Sequence, residues 1–168
     1  LDDITLTVKD GETVALMGES GSGKSTLVRL IYAFEKPTAG SVFWNGTDIF
    51  ALARKRTLYK IVQPVFQDNL NCFDPRQKIK KSLFEPLRNY SRLAEKECAK
   101  KLLPLLTAAD IPEYLLEKYP HELSGGQQKR ICIIRALSVA PKLVILDEAT
   151  AGLDPTVMLH MLELLKRL

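Results

Sequence analysis

The stretch Gly18-Glu19-Ser20-Gly21-Ser22-Gly23-Lys24-Ser25-Thr26 constrains this chain more than any other. It reads G-x-x-x-x-G-K-S and has the surroundings such a loop requires. An apolar run, Thr13-Val14-Ala15-Leu16-Met17, precedes it and fits a buried strand. Leu27, Leu30, Ile31 and Phe34 follow at i, i+3, i+4 and i+7, the spacing of one helix face. Glycines let backbone N–H groups close around a polyphosphate without Cβ clashes. A helix opening at Lys24 points the positive end of its dipole at the same anion. The Lys24 ammonium can reach β- and γ-phosphates, and the Ser25 hydroxyl can ligate Mg²⁺. Gly18, Ser20, Gly21, Ser22, Gly23, Lys24, Ser25 and Thr26 are therefore the candidate nucleotide-binding residues. A plain Gly/Ser turn before a helix would not need this strand–loop–helix context.

A length of 168 residues allows one compact domain with a real core. The net charge of +4 is modest, and the basic clusters at Arg54–Arg56, Lys78–Lys81 and Lys100-Lys101 form no continuous block. They read as solvated faces rather than a nucleic-acid stripe. Cys72, Cys98 and Cys132 show no C-x-x-C spacing, which fits a reducing compartment without a disulfide framework. His121 and His160 lack ligand spacing to them, so a His/Cys metal site is not expected. No apolar run approaches the ~18 residues of a membrane span, and no signal peptide is visible.

Along the chain, Ile4–Val8 alternates as a half-buried strand, and Lys9–Glu12 is a turn that should pair it with Thr13–Met17 as an antiparallel hairpin. The phosphate-loop helix should stop before Pro37. Ser41–Trp44 is a third short strand ended by the Asn45-Gly46 turn. Lys60–Phe66 is a strand in which Pro64 marks an edge or irregularity. Asp68–Pro75 is a loop. Helical patterns follow at Leu83, Phe84 and Leu87, with Pro86 expected to interrupt, and at Ala94–Leu106, with Pro104 as a kink or break. Phe73, Leu83, Phe84 and Leu87 either fill the core of this helical insertion or line an exposed groove for a partner helix. Phe73 is the first candidate for the groove, since it sits in a non-periodic loop.

Two later motifs carry chemistry. In Leu123-Ser124-Gly125-Gly126-Gln127, Ser124 is a good N-cap for a helix running to about Val139, and the glycines leave backbone N–H groups open to an anion. As an isolated pentamer this equally describes any capped helix start. Lys142–Leu146 is a continuous apolar run, the pattern of a strand buried on both faces, and it ends in Asp147-Glu148. Acids at the C-terminal end of such a strand lie where α/β sheets bind ligands. Asp147 can hold Mg²⁺ through its water shell, and Glu148 can polarise an attacking water. Asp154 then caps a last helix with Pro155 at its first position, and Met158, Met161, Leu162, Leu165 and Leu168 form its apolar stripe.

Together these motifs resemble the ATP-binding subunits of ABC transporters, and the resemblance covers essentially the whole chain. Residues 18–26 look like Walker A, Gln67 like the Q-loop glutamine, 123–127 like the LSGGQ signature, 143–148 like Walker B with its catalytic glutamate, and 149–154 like the D-loop. The resemblance implies an α/β P-loop NTPase of RecA-like type, with an antiparallel β subdomain and a helical insertion. Within a single ABC ATPase domain over 1–168, it implies a nucleotide-binding core at 1–67 and 128–168 and a helical signature subdomain at 68–127. Two such domains would pair head-to-tail, each ATP lying between one Walker A and the other signature. Glu148, Gln67 and Lys24 would be catalytic. Ser124, Gly125, Gly126, Gln127 and Asp154 would complete the nucleotide site, with Ser25, Gln67 and Asp147 on Mg²⁺. The implied partners are a second ATPase subunit, membrane permeases and, indirectly, a solute-binding protein, at the cytoplasmic face of a membrane. No nucleic-acid partner is expected.

Phe66-Gln67-Asp68, Pro75-Arg76 and Glu85-Pro86-Leu87 narrow the resemblance to the peptide/nickel importer subfamily, with departures at Asn69, Cys72, Phe73 and Asp74. The D-loop reads Ala151-Gly152-Leu153-Asp154 where the family commonly has S-A-L-D. The family's switch histidine would lie roughly thirty residues past Glu148, beyond Leu168, and its adenine-stacking aromatic before Leu1, so the chain reads as a fragment truncated at both ends. The competing function is a soluble ABC-type ATPase in nucleic-acid or cofactor-assembly work. The DNA-repair branch is disfavoured because only about a hundred residues, without sustained heptads, separate Walker A from the signature. A GTPase is disfavoured because no N-K-x-D is present.

Overall fold

In this computed structural model the described residues are 1–66, 72–147, 159 and 163. They belong to two compact units, Leu1–Leu58 and Tyr59–Leu168.

In the first unit, helix α1 spans Lys24–Ile31. It ends earlier than the apolar spacing predicts. Ala33 takes a left-handed conformation with φ 56°, which turns the chain out of the helix and leaves Phe34 exposed. The buried residue of α1 is Val28, while Leu27, Leu30 and Ile31 are half-buried. Strands β1 (Phe43–Trp44) and β2 (Thr47–Asp48) pair antiparallel, Phe43 opposite Asp48 and Trp44 opposite Thr47. Asn45 and Gly46 between them have φ 45° and 75°, the pair of positive values that a two-residue hairpin turn requires. Asp48 then caps α2 (Ile49–Arg54), its Oδ1 accepting from the N–H groups of Phe50 at 2.8 Å and Ala51 at 3.2 Å.

The hairpin predicted over Ile4–Met17 is corrected by the structure. Its turn closes, the Glu12 N–H donating to the Lys9 carbonyl at 3.1 Å, but neither arm is a strand. The alternation of the first arm and the apolar run of the second mark side chains ready for burial and do not supply a surface for them. Ile4, Leu6, Val8, Val14 and Leu16 are exposed, and Met17 is 92% exposed. A two-stranded ribbon with nothing packed on its apolar face is marginal at best.

The second unit starts within α3 (Leu58–Ile61), which runs directly into strand β3 (Val62–Val65). β3 pairs in parallel with β4 (Leu143–Leu146), Val62 opposite Leu143 through Val65 opposite Leu146. Pro64 sits inside β3 opposite Ile145. That is tolerable because among the described residues the sheet has two strands, so β3 has an edge where a missing N–H costs nothing. The same small sheet corrects the expectation that β4 is buried on both faces. Leu143, Val144 and Ile145 are half-buried and Leu146 is exposed.

Three helices build the core of this unit: α4 (Ile79–Ser91), α5 (Glu95–Ala108) and α6 (Gly125–Leu137). All three pack on one another, and α6 also lies on β3. Ile79, Leu83 and Leu87 of α4 recur every four residues, as do Cys98, Leu102 and Leu106 of α5, and all are essentially inaccessible. Ile131, Ile134 and Leu137 supply the α6 face. Burying each such aliphatic side chain stabilises the fold by about 1.5–3 kcal/mol. This explains why neither internal proline stops its helix. Pro86 is itself buried, with Ser82, Leu83 and Phe84 buried before it and Leu87 after it, and α5 likewise continues through Pro104 to Leu106. Losing one helical hydrogen bond costs less than exposing the apolar residues beyond it.

Phe73 is 5% exposed and belongs to this core with Leu83, Phe84 and Leu87, so the groove reading of these four residues is corrected in favour of the core. A loop without helical period can still tuck an aromatic ring under neighbouring helices. Among the described residues no helix is long and apolar enough to cross a membrane. The apolar stripe predicted for the last helix lies outside the described residues. Leu159 and Glu163, which do not belong to that stripe, are helical and exposed.

Candidate nucleotide-binding site

The phosphate loop, in the first unit, is built around its lysine. Lys24 Nζ donates to the carbonyls of Gly18 and Glu19, each at 2.7 Å, and to Ser22 Oγ at 3.3 Å. The Ser22 N–H donates to the Glu19 carbonyl at 3.2 Å and closes the turn. Two glycines fit tightly into this geometry, and Gly23 is required by its backbone angle. A Cβ on Gly18 would stand 2.7 Å from Ser22 Oγ, and Gly23 holds φ 95° as the residue preceding α1. Because Gly23 has no side chain to cap the helix, and the first turn of α1 carries no acidic residue, the leading N–H groups are left to an incoming anion. Ser25 and Thr26 are exposed at this end.

The signature segment, in the second unit, forms a capping box at the start of α6. Ser124 Oγ accepts from the Gln127 N–H at 3.2 Å, and Gln127 Oε1 accepts from the Ser124 N–H at 2.9 Å. A Cβ on Gly125 or Gly126 would meet nothing within 4 Å. Among the described residues no steric need therefore calls for glycine there, whereas close approach of an anion to the helix N-terminus does. Sequence reasoning missed the residue beneath: Gln128 is buried, and its amide Nε2 donates to the carbonyls of Pro120 at 2.9 Å and Leu123 at 3.3 Å. It fixes the turn from which Ser124 emerges.

Two arginines of α6 were also missed. Arg130 Nη1 donates to the carbonyls of Ala109 and Asp110, both at 2.9 Å, at the end of α5. Arg135 Nη1 donates to the Cys72 carbonyl at 3.0 Å, and its Nη2 pairs with Glu85 of α4 at 2.9 Å. The signal in sequence was two guanidinium groups flanking the buried run Ile131–Ile134, a place where long cations survive only when bound to backbone or carboxylate.

Asp147 extends the parallel ladder, its N–H donating to the Val65 carbonyl at 2.9 Å, so it stands at the C-terminal edge of β3 and β4. Gln67 follows β3 by two residues and Glu148 follows β4 by two residues. Gln67, Glu148 and Asp154 themselves lie outside the described residues.

A lysine-centred phosphate loop opening a helix, an aspartate at the C-terminal edge of a parallel sheet and a capped, glycine-bearing signature helix define a P-loop ABC ATPase cassette. The chain belongs to the ABC transporter family, whose model matches residues 1–151. Among individual proteins it is 42% identical over 170 residues to the nickel import ATP-binding proteins NikE of Shigella dysenteriae and Escherichia coli, across 100% of this chain. It spans 63% of the length of those relatives. The dimeric post-hydrolysis structure of the ATP-binding cassette MJ0796 with ADP and Pi superposes with a TM-score of 0.83 at 34% identity, covering 96% of this chain and 71% of that one. CbiO1 of Clostridium perfringens, part of the ABC transporter complex cbiONQ, superposes with a TM-score of 0.79 at 33% identity, covering 98% of this chain and 64% of that one.

Proposed function

We propose that the full-length protein is the ATP-binding and hydrolysing subunit that powers a membrane importer, with nickel, a metal chelate or a peptide as cargo. The observation that carries this reading is the whole-chain identity to nickel import ATP-binding proteins. The phosphate-loop lysine, the strand-end acids and the complete signature stand at their motif positions in support of it.

In this reading Lys24 exchanges the neutral Gly18 and Glu19 carbonyls for anionic phosphate oxygens, a stronger set of bonds because both partners are then charged. The uncapped start of α1 holds the same phosphates. The Ser25 hydroxyl, the Gln67 amide oxygen and the Asp147 carboxylate are hard oxygen donors of the kind Mg²⁺ takes. They would hold that ion, which when bound neutralises phosphate charge. Glu148 takes a proton from the water that attacks the γ-phosphorus, and Gln67 orients that water. Ser124, Gly125, Gly126 and Gln127 face the γ-phosphate held by Lys24 of a second subunit, and Asp154 couples the two sites. Residues 1–67 and 128–168 act as the nucleotide-binding core and 68–127 as the helical signature subdomain. The dimeric relative supports pairing, and the relative from a transporter complex supports permease partners at the cytoplasmic face of the membrane.

The test is expression of the full-length protein with its neighbouring permease, followed by co-purification and uptake of radioactive nickel and of labelled peptide. ATP-dependent nickel uptake supports the metal branch, and peptide uptake alone supports the other. An ATPase that never associates with a permease rejects the transport reading.

A further inference from the structure

We propose that Cys72 and Cys132 form a reversible dithiol–disulfide pair, a modification site that ties the loop residues just before α4 to the signature helix α6. Three observations meet there. Cys72 packs against the buried core cluster that contains Cys132, and it is the neighbour that most perturbs the Cys132 thiol. Arg135, three residues after Cys132 and so on the same face of α6, grips the Cys72 carbonyl at 3.0 Å and seats that backbone against the helix. Glu85 in turn holds the Arg135 guanidinium at 2.9 Å. The third cysteine is a natural control: Cys98 is buried elsewhere in the core, where its thiol donates to the Leu93 carbonyl at 3.7 Å.

The two thiols differ in a way that assigns their roles. Cys132 is buried, and contact with Cys72, then burial, pushes its thiol pKa up. Cys72 is half-buried and is the sulfur an oxidant reaches. With a peroxide as oxidant, the Cys72 thiolate attacks one peroxide oxygen, the O–O bond breaks, and water leaves after protonation. Cys72 is then a sulfenic acid. Cys132 sulfur attacks the Cys72 sulfur, the S–O bond breaks, and the departing hydroxide takes the Cys132 proton as a second water. Two thiols are oxidised by two electrons, and one peroxide is reduced to two waters. A dithiol reductant reverses the bond by exchange.

The full-length protein is treated with hydrogen peroxide, its remaining thiols are alkylated, and it is digested with trypsin without reductant. The expected product is peptide 61–76 joined to peptide 131–135, two hydrogens lighter than their sum, accounting for most of the thiol lost and released by dithiothreitol. In Cys132→Ser, Cys72 should instead accumulate as a sulfenic acid trapped by dimedone. The proposal is overturned if Cys72 oxidises in the parent protein without joining 131–135, if Cys98 is consumed as fast as Cys72, or if Cys72 in Cys132→Ser does not react.

Discussion

The residues of the phosphate loop and of the signature make different demands on their backbone, and substitutions separate them. Lys24→Ala removes a charged donor that the loop cannot replace. ATP affinity of the full-length protein should fall roughly 10- to 100-fold, as for loss of a hydrogen bond to a charged group, measured by calorimetry. Gly126→Ala is the converse case. An added Cβ meets nothing within 4 Å, and alanine favours a helix, so thermal denaturation should show unchanged or slightly raised stability, by up to about 1 kcal/mol. If glycine is there for the anion, phosphate release should nevertheless drop. Stability loss in this variant, or wild-type turnover, would sink that assignment. Gly23 has no such latitude, because its φ of 95° strains any other residue.

At the scale of elements, the helical core and the salt-bridged turn beside it answer to different forces. Phe73 is buried in the same core cluster as residues of α4, α5 and α6, so Phe73→Ala should cost about 3–5 kcal/mol in urea unfolding, and Phe73→Asp should leave the second unit unfolded. Glu117, on the short 3₁₀ turn Glu113–Glu117, accepts from Lys78 Nζ at 2.8 Å and Lys80 Nζ at 2.7 Å at the start of α4. Those two bonds to Lys78 and Lys80 lower its pKa from 4.5 to about 2. A carboxylate depressed on folding contributes stability above its unfolded value, and the contribution is lost as pH falls from about 4.5 through about 2. An NMR titration should place the Glu117 midpoint near 2, and Glu117→Gln should flatten that part of the stability profile. A midpoint near 4.5 would mean that the two lysines do not hold it in solution.

For the whole molecule, the proposed function rests on two chains that share each ATP. Glu148→Gln keeps shape and hydrogen bonding but cannot take a proton from water, so ATP should still bind while turnover falls by about 10²- to 10⁴-fold. A closed dimer should then persist with Mg-ATP in size-exclusion chromatography of the full-length variant. Wild-type turnover in Glu148→Gln would remove that residue from the role of base.

The sequence by itself determined the family, the phosphate loop, the capped signature helix and the strand ending in Asp147, because each rests on local chemistry. A loop that must wrap phosphate needs glycine and lysine at set positions, and a helix start needs Ser124 and Gln127 three residues apart. What the tertiary structure alone decided is which apolar residues find a surface. Ile4–Val8, which alternates, and the apolar run Thr13–Met17 read as a strand pair yet stay exposed without forming strands, whereas Phe73 lies in a loop without period and is buried. Pro86 reads as a helix interruption and Pro104 as a kink or break, and both sit inside helices, because α4 and α5 bury their far turns in a shared core. The meeting of Cys72, Cys132 and Arg135 was equally invisible, since sixty residues of chain separate groups that touch. Burial and long-range contact are properties of the assembled chain, and periodicity records only which residues are prepared for them.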